Sequence, residues 1–282
     1  MAPFLLDVAV MGLGKVGTSL VLGLSRMGYR VLASTANPER HKDIEAMGIE
    51  ILPSFEAARR SEIVVIAVKP KQVRGLAEEI REAVEGKLVI SVAAALTTEL
   101  LESLLPRARI IRAMPNLAIM VGESATAIAK GRSATEHDLE VAKRIFGAVG
   151  DCIVVEEELM DMITGLSGSG PAYAFLFMEA LADAGVKAGL PKELALRLAA
   201  RSLLGASRMV LEMGEHPAVL KDMVVTPGGV TIAAMHVLEK YRMRAALMDA
   251  VEAAVRRAEE IRKELNTSVT VQPLHGPPTG IG

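Results

Sequence analysis

The sequence predicts an α/β protein, with an N-terminal Rossmann doubly wound sheet followed by an all-α dimerisation domain. In residues 8–155, short apolar runs alternate with helical patterns, as in a parallel sheet whose strands are joined by helices. After residue 156 no convincing strand follows, and helical patterns rich in Ala, Leu, Val and Met succeed one another. We therefore expect a Rossmann domain over 1–156, a helical domain over 157–265 and a flexible tail over 266–282.

The composition narrows the class of protein. Hydrophobic residues make up 51% of the 282 residues, so the chain can bury a large core, and a net charge of −2 with mixed signs argues against nucleic acid or a membrane as partner. Cys152 is the only cysteine, lies in an apolar run and is predicted to be a buried structural thiol. No signal peptide, membrane span or metal motif stands out, so we expect a cytoplasmic protein without a metal.

A glycine-rich turn joins the first predicted strand, at 8–11, to the first predicted helix. Residues 12–17 have the G-x-G-x-x-G spacing, which allows a tight turn, a close approach of a pyrophosphate and close packing of helix on strand. The alternative is a purely structural turn between strand and helix. The nucleotide interpretation is favoured because strand and helix flank the motif, and its candidate cofactor residues are Gly12, Leu13, Gly14, Lys15, Val16 and Gly17.

The residues after the second predicted strand, at 29–34, favour NADP. An NAD-binding protein would place an acidic residue about 20 positions after the glycines, on the ribose hydroxyls. This sequence instead has hydroxyls, an amide and a cation, which suit a 2′-phosphate, at Ser34, Thr35, Asn37 and Arg40. Glu39 could still reach a ribose, so NADPH is preferred while NADH stays open. Asn37 and Pro38 can at the same time start a helix, with Asn37 as its N-cap.

Six further strands are predicted, at 49–52, 62–68, 88–92, 109–113, 124–129 and 152–155, with a helix near 135–147. Nucleotides bind at the C-terminal ends of parallel strands. Lys69 follows the fourth strand and is therefore a candidate cofactor neighbour. Small residues after the fifth strand, Ala93 and Ala94, leave room for a ligand, and Met114 and Asn116 follow the sixth.

The helical half contains predicted helices at 157–166, 172–188, 191–213, 217–223, 231–241 and 242–265, with 167–171 as an interruption. The helix at 172–188 is apolar around most of its circumference, for example at Leu176, Met178 and Leu181. We expect this surface to be buried against a second copy of the chain. The alternative is a compact monomer whose helices fold onto the sheet.

A second candidate site lies at residues 226–231. Gly228 and Gly229 leave backbone N–H groups unobstructed at a helix start, which suits a carboxylate, and Thr231 adds a hydroxyl. The local sequence fits equally well a Pro-Gly turn with Thr231 as an ordinary N-cap. Because no hydrolase or metalloprotease pattern is present, hydride transfer to an already protonated imine fits the sequence best.

Several motifs together resemble those of pyrroline-5-carboxylate reductases. The similarity covers about residues 6–264, and SGSGPAY and PGGVT are its most specific motifs. The motifs are AVKP at 67–70, RAMPN at 112–116, SGSGPAY at 167–173, EALADAGV at 179–186, HP at 216–217, LKD at 220–222 and PGGVT at 227–231, besides the glycine turn.

The resemblance implies reduction of 1-pyrroline-5-carboxylate to L-proline by NADPH, the last step of proline biosynthesis. It implies that the substrate is held by Glu157, Gly228, Gly229, Val230 and Thr231, with Thr231 as the catalytic residue that bonds the imine nitrogen. It also implies cofactor contacts at the glycine turn and at Ser34, Ala67, Val68, Lys69, Pro70, Ala93 and Ala94. Family members form dimers through interleaved helical domains, and these often assemble into decamers.

Some positions depart from the pattern of the family. Leu117 and Ala118 stand where Thr-Pro is usual, Ala95 stands in place of Gly, and Thr226 in place of Ser. Leu117 and Ala118 lie near the expected nicotinamide pocket, so a six-membered cyclic imine is an alternative substrate.

Two rival functions stay open. One is a reductase of hydroxy acids with Lys187 as its acid, and the other is a non-catalytic NADP-binding regulator. Gly228 and Gly229, called the glycine cradle below, are both present together with Thr231, which argues against a regulator without a substrate.

Overall fold

The computed structural model describes residues 6–270, with side chains for residues 6–266. Its centre is a sheet of eight strands in the order β3-β2-β1-β4-β5-β6-β7-β8. The pairs from β3 to β6 are parallel, β7 runs antiparallel to β6, and β8 is parallel to β7. The strands are β1 (Val8–Met11), β2 (Val31–Ser34), β3 (Glu50–Ile51), β4 (Ile63–Ile66), β5 (Leu88–Ser91), β6 (Arg109–Met114), β7 (Ser124–Lys130) and β8 (Gly150–Val154).

Helices connect the strands and then form the C-terminal half of the chain. Short 3₁₀ segments lie at Pro38–Arg40, Pro70–Gln72, Leu117–Val121 and Glu157–Leu159. The α-helices are α1 (Lys15–Arg26), α2 (Lys42–Ala46), α3 (Ser54–Arg60), α4 (Val73–Ile80), α5 (Thr98–Leu104), α6 (Glu136–Gly147), α7 (Met160–Ile163), α8 (Gly170–Lys187), α9 (Lys192–Met213), α10 (Pro217–Val224), α11 (Val230–Lys240) and α12 (Met243–Thr270). This alternation confirms the predicted fold class.

Alternating side chains of the strands build a core on each face of the sheet. Val8 and Val10 of β1 pack in one cluster with α1 and α6, while Ala9 and Met11 pack in the other with α3, α4 and α5. Every residue of β1, β4 and β5 is buried, as expected for central parallel strands covered on both faces. The chain order reverses between β1 and β4, which opens a crevice at the C-terminal ends of these strands.

The chain divides into two compact units. The first contains the sheet and residues up to Gly168 together with residues from Ala254 onward, and the second contains Ser169–Ala253. The domain limits predicted from the sequence, 1–156 and 157–265, differ from this division by contacts and stay a prediction.

In the second unit, α8 and α9 pack as a hairpin. A Cβ on Gly185 would come within 2.9 Å of the Ala195 Cβ, so glycine allows the two helices to approach closely. Large apolar side chains on these helices remain exposed in the single chain, including Phe175, Leu176 and Leu211. Such an apolar surface indicates a contact with another protein surface. No helix among the described residues is long and apolar enough to cross a membrane.

Two predicted features of the helical half differ from the structure. The interruption predicted at 167–171 is confined to Ser169, because a π-helical segment at Thr164–Gly168 follows α7 directly and α8 begins at Gly170. Gly168 lies close to β6, since a Cβ there would come within 2.9 Å of the Met114 Cε, the end of a flexible side chain. Helix α12 continues to Thr270, so residues 266–270 are helical rather than a tail; the rest of the predicted tail lies outside the described residues.

Candidate active site

The first unit contains a cavity of about 680 Å³ at the C-terminal ends of β1, β2 and β4. Its walls are the glycine turn, the segment after β2, the start of α3, and the 3₁₀ segment and helix after β4. Of the predicted cofactor residues, this cavity brings together Gly12, Leu13, Gly14, Ser34, Thr35, Asn37, Arg40, Ala67, Val68 and Lys69. Its lining does not include the other predicted cofactor residues, which are Lys15, Val16, Gly17, Pro70, Ala93, Ala94, Met114 and Asn116. The cofactor role of both sets stays a prediction.

The glycine turn has the geometry of an anion site. The Gly12 N–H donates to the Ser34 carbonyl at 2.8 Å, and Gly12 has φ of +105°, where a Cβ would lie 2.8 Å from the Ala67 carbonyl oxygen. Gly14 is the N-cap of α1 and has no side-chain capping bond, and no atom lies within 4 Å of the place its Cβ would take. The first N–H groups of α1 therefore have no side-chain partner, and the open space over Gly14 suits a pyrophosphate.

The segment after β2 presents hydrogen-bonding groups to the cavity. The Ser34 hydroxyl donates to the Ser54 hydroxyl at 3.2 Å, and the Asn37 N–H donates to the Thr35 hydroxyl at 3.4 Å. Asn37 precedes the 3₁₀ segment Pro38–Arg40 as predicted, but its side chain makes no capping bond. The amide of Asn37 is therefore not used by the helix start.

One acidic residue of this segment, Glu39, is not part of the cavity lining. Glu39 pairs with Lys42 at 2.9 Å and does not line the cavity. The cation at Arg40 does line it. The charge that the β2 segment presents to the cavity is thus positive.

The sequence analysis did not identify the part of the cavity lining that is formed by the segment after β4. Gln72, Leu76 and Glu79 line the cavity in series after Lys69, and the intervals of three and four residues place them on one face of the segment. This helical spacing was visible in the sequence and could have identified them. Residues from other segments were also missed: Met11, Ala36, His41, Pro53 and Ser54.

The second unit holds the glycine cradle at the start of α11. Gly229 is the N-cap of α11 without a side-chain capping bond. The prediction that its N–H is unobstructed is wrong, because this N–H donates to the Thr226 carbonyl at 3.0 Å and closes the turn. Gly228 has φ of +64°, a conformation that glycine adopts readily. Thr231 is the second residue of the helix, so the alternative in which Thr231 caps it is wrong. The Val230 side chain is 88% exposed, which leaves the helix start open to a ligand.

Glu157 lies in a cluster of ionised groups within the first unit. Its carboxylate accepts from the Thr98 N–H at 2.7 Å and from the Thr98 hydroxyl, and it pairs with Arg112 at 3.3 Å. Arg112 is only 2% exposed, and the neighbouring Asp161 pairs with Arg262 of α12 at 2.6 Å. The carboxylate therefore accepts from the first N–H of α5 and pairs with a buried guanidinium, and its predicted contact with substrate stays a prediction.

Asn116 is engaged by its own surroundings. Its side-chain carbonyl accepts from the Ala118 N–H at 3.1 Å and caps the 3₁₀ segment Leu117–Val121. Its amide nitrogen donates to the Ser167 carbonyl at 3.2 Å. These bonds fix the segment that carries the unusual Leu117 and Ala118.

Two other side chains have structural roles. His216 is the N-cap of α10, and its Nδ1 accepts from the Ala218 N–H at 3.2 Å, so this histidine caps a helix. Cys152 packs at the edge of one core cluster, and burial raises the pKa of its thiol to about 12. A thiol with such a pKa stays protonated near neutral pH and is a poor nucleophile.

Comparisons with known proteins identify the family. Residues 157–261 match the model for pyrroline-5-carboxylate reductase dimerisation, and residues 7–95 match the model for coenzyme F420-dependent NADP oxidoreductases. A pyrroline-5-carboxylate reductase from Arabidopsis thaliana is 42% identical over 261 residues, which cover 90% of this chain and 95% of the relative. The chain belongs to the pyrroline-5-carboxylate reductase family.

Solved structures of pyrroline-5-carboxylate reductases have the same fold over about nine tenths of this chain. The enzyme from Coxiella burnetii is 36% identical with a TM-score of 0.86, and covers 90% of this chain and 98% of its own. The Plasmodium falciparum enzyme with NADP bound is 30% identical with a TM-score of 0.82, and covers 91% of this chain and 98% of its own. The protein is therefore an oxidoreductase that uses a nicotinamide cofactor, and its helical half matches a dimerisation domain.

Proposed function

We propose that this protein reduces the cyclic imine 1-pyrroline-5-carboxylate to L-proline with NADPH, the last step of proline biosynthesis. The proposal rests on two features that the chain contains, an open glycine turn at the start of α1 in the first unit and a glycine N-cap at the start of α11 in the second. The first suits the pyrophosphate of a dinucleotide, and the second suits a small carboxylate. Hydride transfer from a dinucleotide to a substrate with one carboxylate and one C=N bond uses both features.

In this mechanism the helix start at Gly228, Gly229 and Val230 binds the substrate carboxylate. The Thr231 hydroxyl lies one residue further along α11 and hydrogen-bonds the imine nitrogen, which fixes the orientation of the C=N bond. The nicotinamide cofactor, when bound, supplies the hydride. Because the imine arrives protonated, no strongly acidic or basic side chain has to move a proton before reduction.

The preference for NADPH over NADH rests on the charge of the segment after β2. Arg40, Asn37 and Ser34 line the cavity, whereas Glu39 pairs with Lys42 outside its lining. A guanidinium and neutral donors suit the 2′-phosphate, and a free carboxylate at this place would repel it.

The proposal includes the oligomeric assembly of the protein and its location in the cell. Dimers form through the helical half, and such dimers can build decamers; the match to a dimerisation domain and the exposed apolar side chains of α8 and α9 support self-association. A single cysteine agrees with a reducing cytoplasmic location. Nucleic acid and membranes are not part of the proposed function.

Turnover of alternative substrates tests the reaction. We expect oxidation of NADPH, followed by its absorbance, with the five-membered imine acid and little with the keto partner of a hydroxy acid. Thr231→Ala should lower kcat about tenfold to a hundredfold, since a hydrogen bond to a charged group contributes about 1.5–3 kcal/mol. Thr231→Ser keeps the hydroxyl and serves as the control.

The same assays with alternative substrates and variants distinguish the rival functions. The absence of turnover with any imine, despite NADPH binding, would identify a regulator instead. Faster turnover of the six-membered imine would favour the alternative substrate, and Leu117→Thr with Ala118→Pro would then test whether these two residues set the ring size. An unchanged kcat in Thr231→Ala would remove Thr231 from the mechanism.

The cofactor preference is tested by Arg40→Ala. We expect its Kd for NADPH to rise about tenfold, because it loses a charge-assisted hydrogen bond to the 2′-phosphate, while the Kd for NADH changes little. Arg144→Ala, an exposed arginine of α6 outside the cavity, is the matched control. Fluorescence titration of the reduced cofactors measures both constants, and equal losses for the two cofactors would contradict a role at the 2′-phosphate.

A further inference from the structure

The chain passes from the first unit to the second through residues 157–168, which are called the exit segment below. Two contacts fix this segment to β6 and to the residues after it. The Arg112 guanidinium of β6 pairs with Asp161 of α7, with 3.7 Å between Nη2 and Oδ1, and the Asn116 amide nitrogen donates to the Ser167 carbonyl at 3.2 Å. The exit segment is therefore attached to the sheet at two points along its length.

The chain comes back to the first unit along α12, whose residues 254–266 are called the return segment below. The Nε of Arg262 donates to the Asp161 Oδ2 at 2.6 Å, although the two residues are 101 positions apart in the sequence. Leu265 packs against the core cluster formed with α3, α4 and α5. Asp161 thus lies between two guanidiniums, and its carboxylate joins the return segment, the exit segment and β6.

Burial makes the charges of this cluster depend on one another. The Arg112 side chain is 2% exposed and the Asp161 side chain is 9% exposed. The Arg112 Nη2 has no hydrogen bond within the described residues, so on this side of the guanidinium Asp161 balances the charge. Loss of one partner would leave a buried charge without compensation, which costs far more than the loss of a surface pair. Arg257 of α12 is such a surface case, since it is exposed and pairs with two glutamates of its own helix.

We propose that Asp161 and Arg262 are positioning residues for hydride transfer, and that their ion pair fixes the direction in which the exit and return segments leave the first unit. This inference rests on the proposed function, in which the cofactor binds in the first unit and Thr231 of the second unit orients the imine. Hydride crosses only when the reacting atoms come within about 3–3.5 Å, so a small displacement of the connecting segments lowers the rate. Neither Asp161 nor Arg262 lines the cofactor cavity, so the affinity for the cofactor should not depend on them.

The experiment compares the intact wild-type protein with Arg262→Gln, Arg262→Lys and Asp161→Asn at a temperature at which each is folded. For Arg262→Gln we expect kcat with the five-membered imine acid to fall about tenfold, because the reacting atoms are misplaced, while the Kd for NADPH changes less than about twofold. With NADPH deuterated at the transferred position, the isotope effect on kcat should rise, because hydride transfer then limits the rate. Arg262→Lys keeps a cationic donor and should recover most of kcat.

Asp161→Asn removes the charge that the two arginines share, so kcat should fall further than in Arg262→Gln. Denaturant unfolding shows whether each variant is folded. If Asp161→Asn does not fold, Arg262→Gln decides the inference, because it leaves Asp161 paired with Arg112. Arg257→Gln, an exposed arginine of the same helix with its partners on that helix, is the matched control and should behave as the wild type.

Two results would overturn the inference while the proposed function stands. One is a folded Arg262→Gln that is less stable but keeps the wild-type kcat and isotope effect, since the cluster would then be merely structural. The other is a kcat that Arg257→Gln lowers as much as Arg262→Gln does, since the effect would then not belong to the buried pair. If the wild type reduces no imine, the proposed function is wrong and this inference falls with it.

Discussion

Two residues of the glycine turn have different roles. Gly17 is required for packing, whereas Gly14 leaves space for a ligand. A Cβ on Gly17 would overlap the Gly12 carbonyl oxygen, which is backbone and cannot rotate away. A Cβ on Gly14 would meet no atom within 4 Å, and Gly14 has an extended backbone that alanine adopts without strain. Gly17→Ala should therefore lower the free energy of unfolding by at least about 2 kcal/mol, as overpacking does.

Gly14→Ala provides the contrast to this prediction. It should leave the free energy of unfolding unchanged or slightly higher, and should weaken NADPH binding about tenfold because its methyl group fills the space proposed for the pyrophosphate. Denaturant unfolding and fluorescence titration measure the two effects. Tight NADPH binding by Gly14→Ala would mean that the pyrophosphate does not lie over this glycine.

Single residues also show where sequence reasoning reached its limit. The glycine turn and the β2 segment were found because their spacing along the chain carries the chemistry. Glu157 was assigned to the substrate by resemblance alone, whereas its donors, Thr98 and Arg112, come from segments far away along the chain. No local pattern predicts such a cluster, since it forms only when the sheet brings β6 and α5 together.

At the scale of elements, the strands were predictable because burial determines them. All eight observed strands overlap predicted ones, and the errors lie at the ends, as for β4, predicted at 62–68 and observed at Ile63–Ile66. An apolar run continues past the last ladder hydrogen bond, so hydropathy alone cannot place the end of a strand. The antiparallel direction of β7 also escaped prediction, because direction depends on the path of the connecting segment.

The helical elements were harder to delimit at their ends. The glycines at 168 and 170 suggest a break, but the backbone passes through a π-helical segment, and Gly168 lies beside Met114 of β6. Helix α12 extends beyond the last apolar position of the pattern, and Leu265 packs against the core cluster formed with α3, α4 and α5. Glycines that serve close packing look the same in a sequence as glycines that end a helix.

At the scale of the whole molecule, self-association follows from the surface of the second unit. Helix α8 has a single buried residue, Ala182, in the isolated chain, while Leu176 is 66% exposed and lies among other exposed apolar side chains. A surface of this kind is stable in water only when a partner covers it. In a two-fold dimer each residue of the interface contributes twice, so one buried leucine per subunit adds about 3–6 kcal/mol to association.

Leu176→Glu should therefore dissociate the oligomer. Sedimentation velocity should give a monomer at concentrations where the wild type is associated, because two carboxylates would be buried without partners. The wild-type Tm should rise with protein concentration, and this dependence should disappear in the variant, since only association links stability to concentration. Met47→Glu changes an apolar side chain of the first unit that is 60% exposed, and should leave the assembly intact. An oligomer that survives Leu176→Glu would place the interface on another face of the second unit.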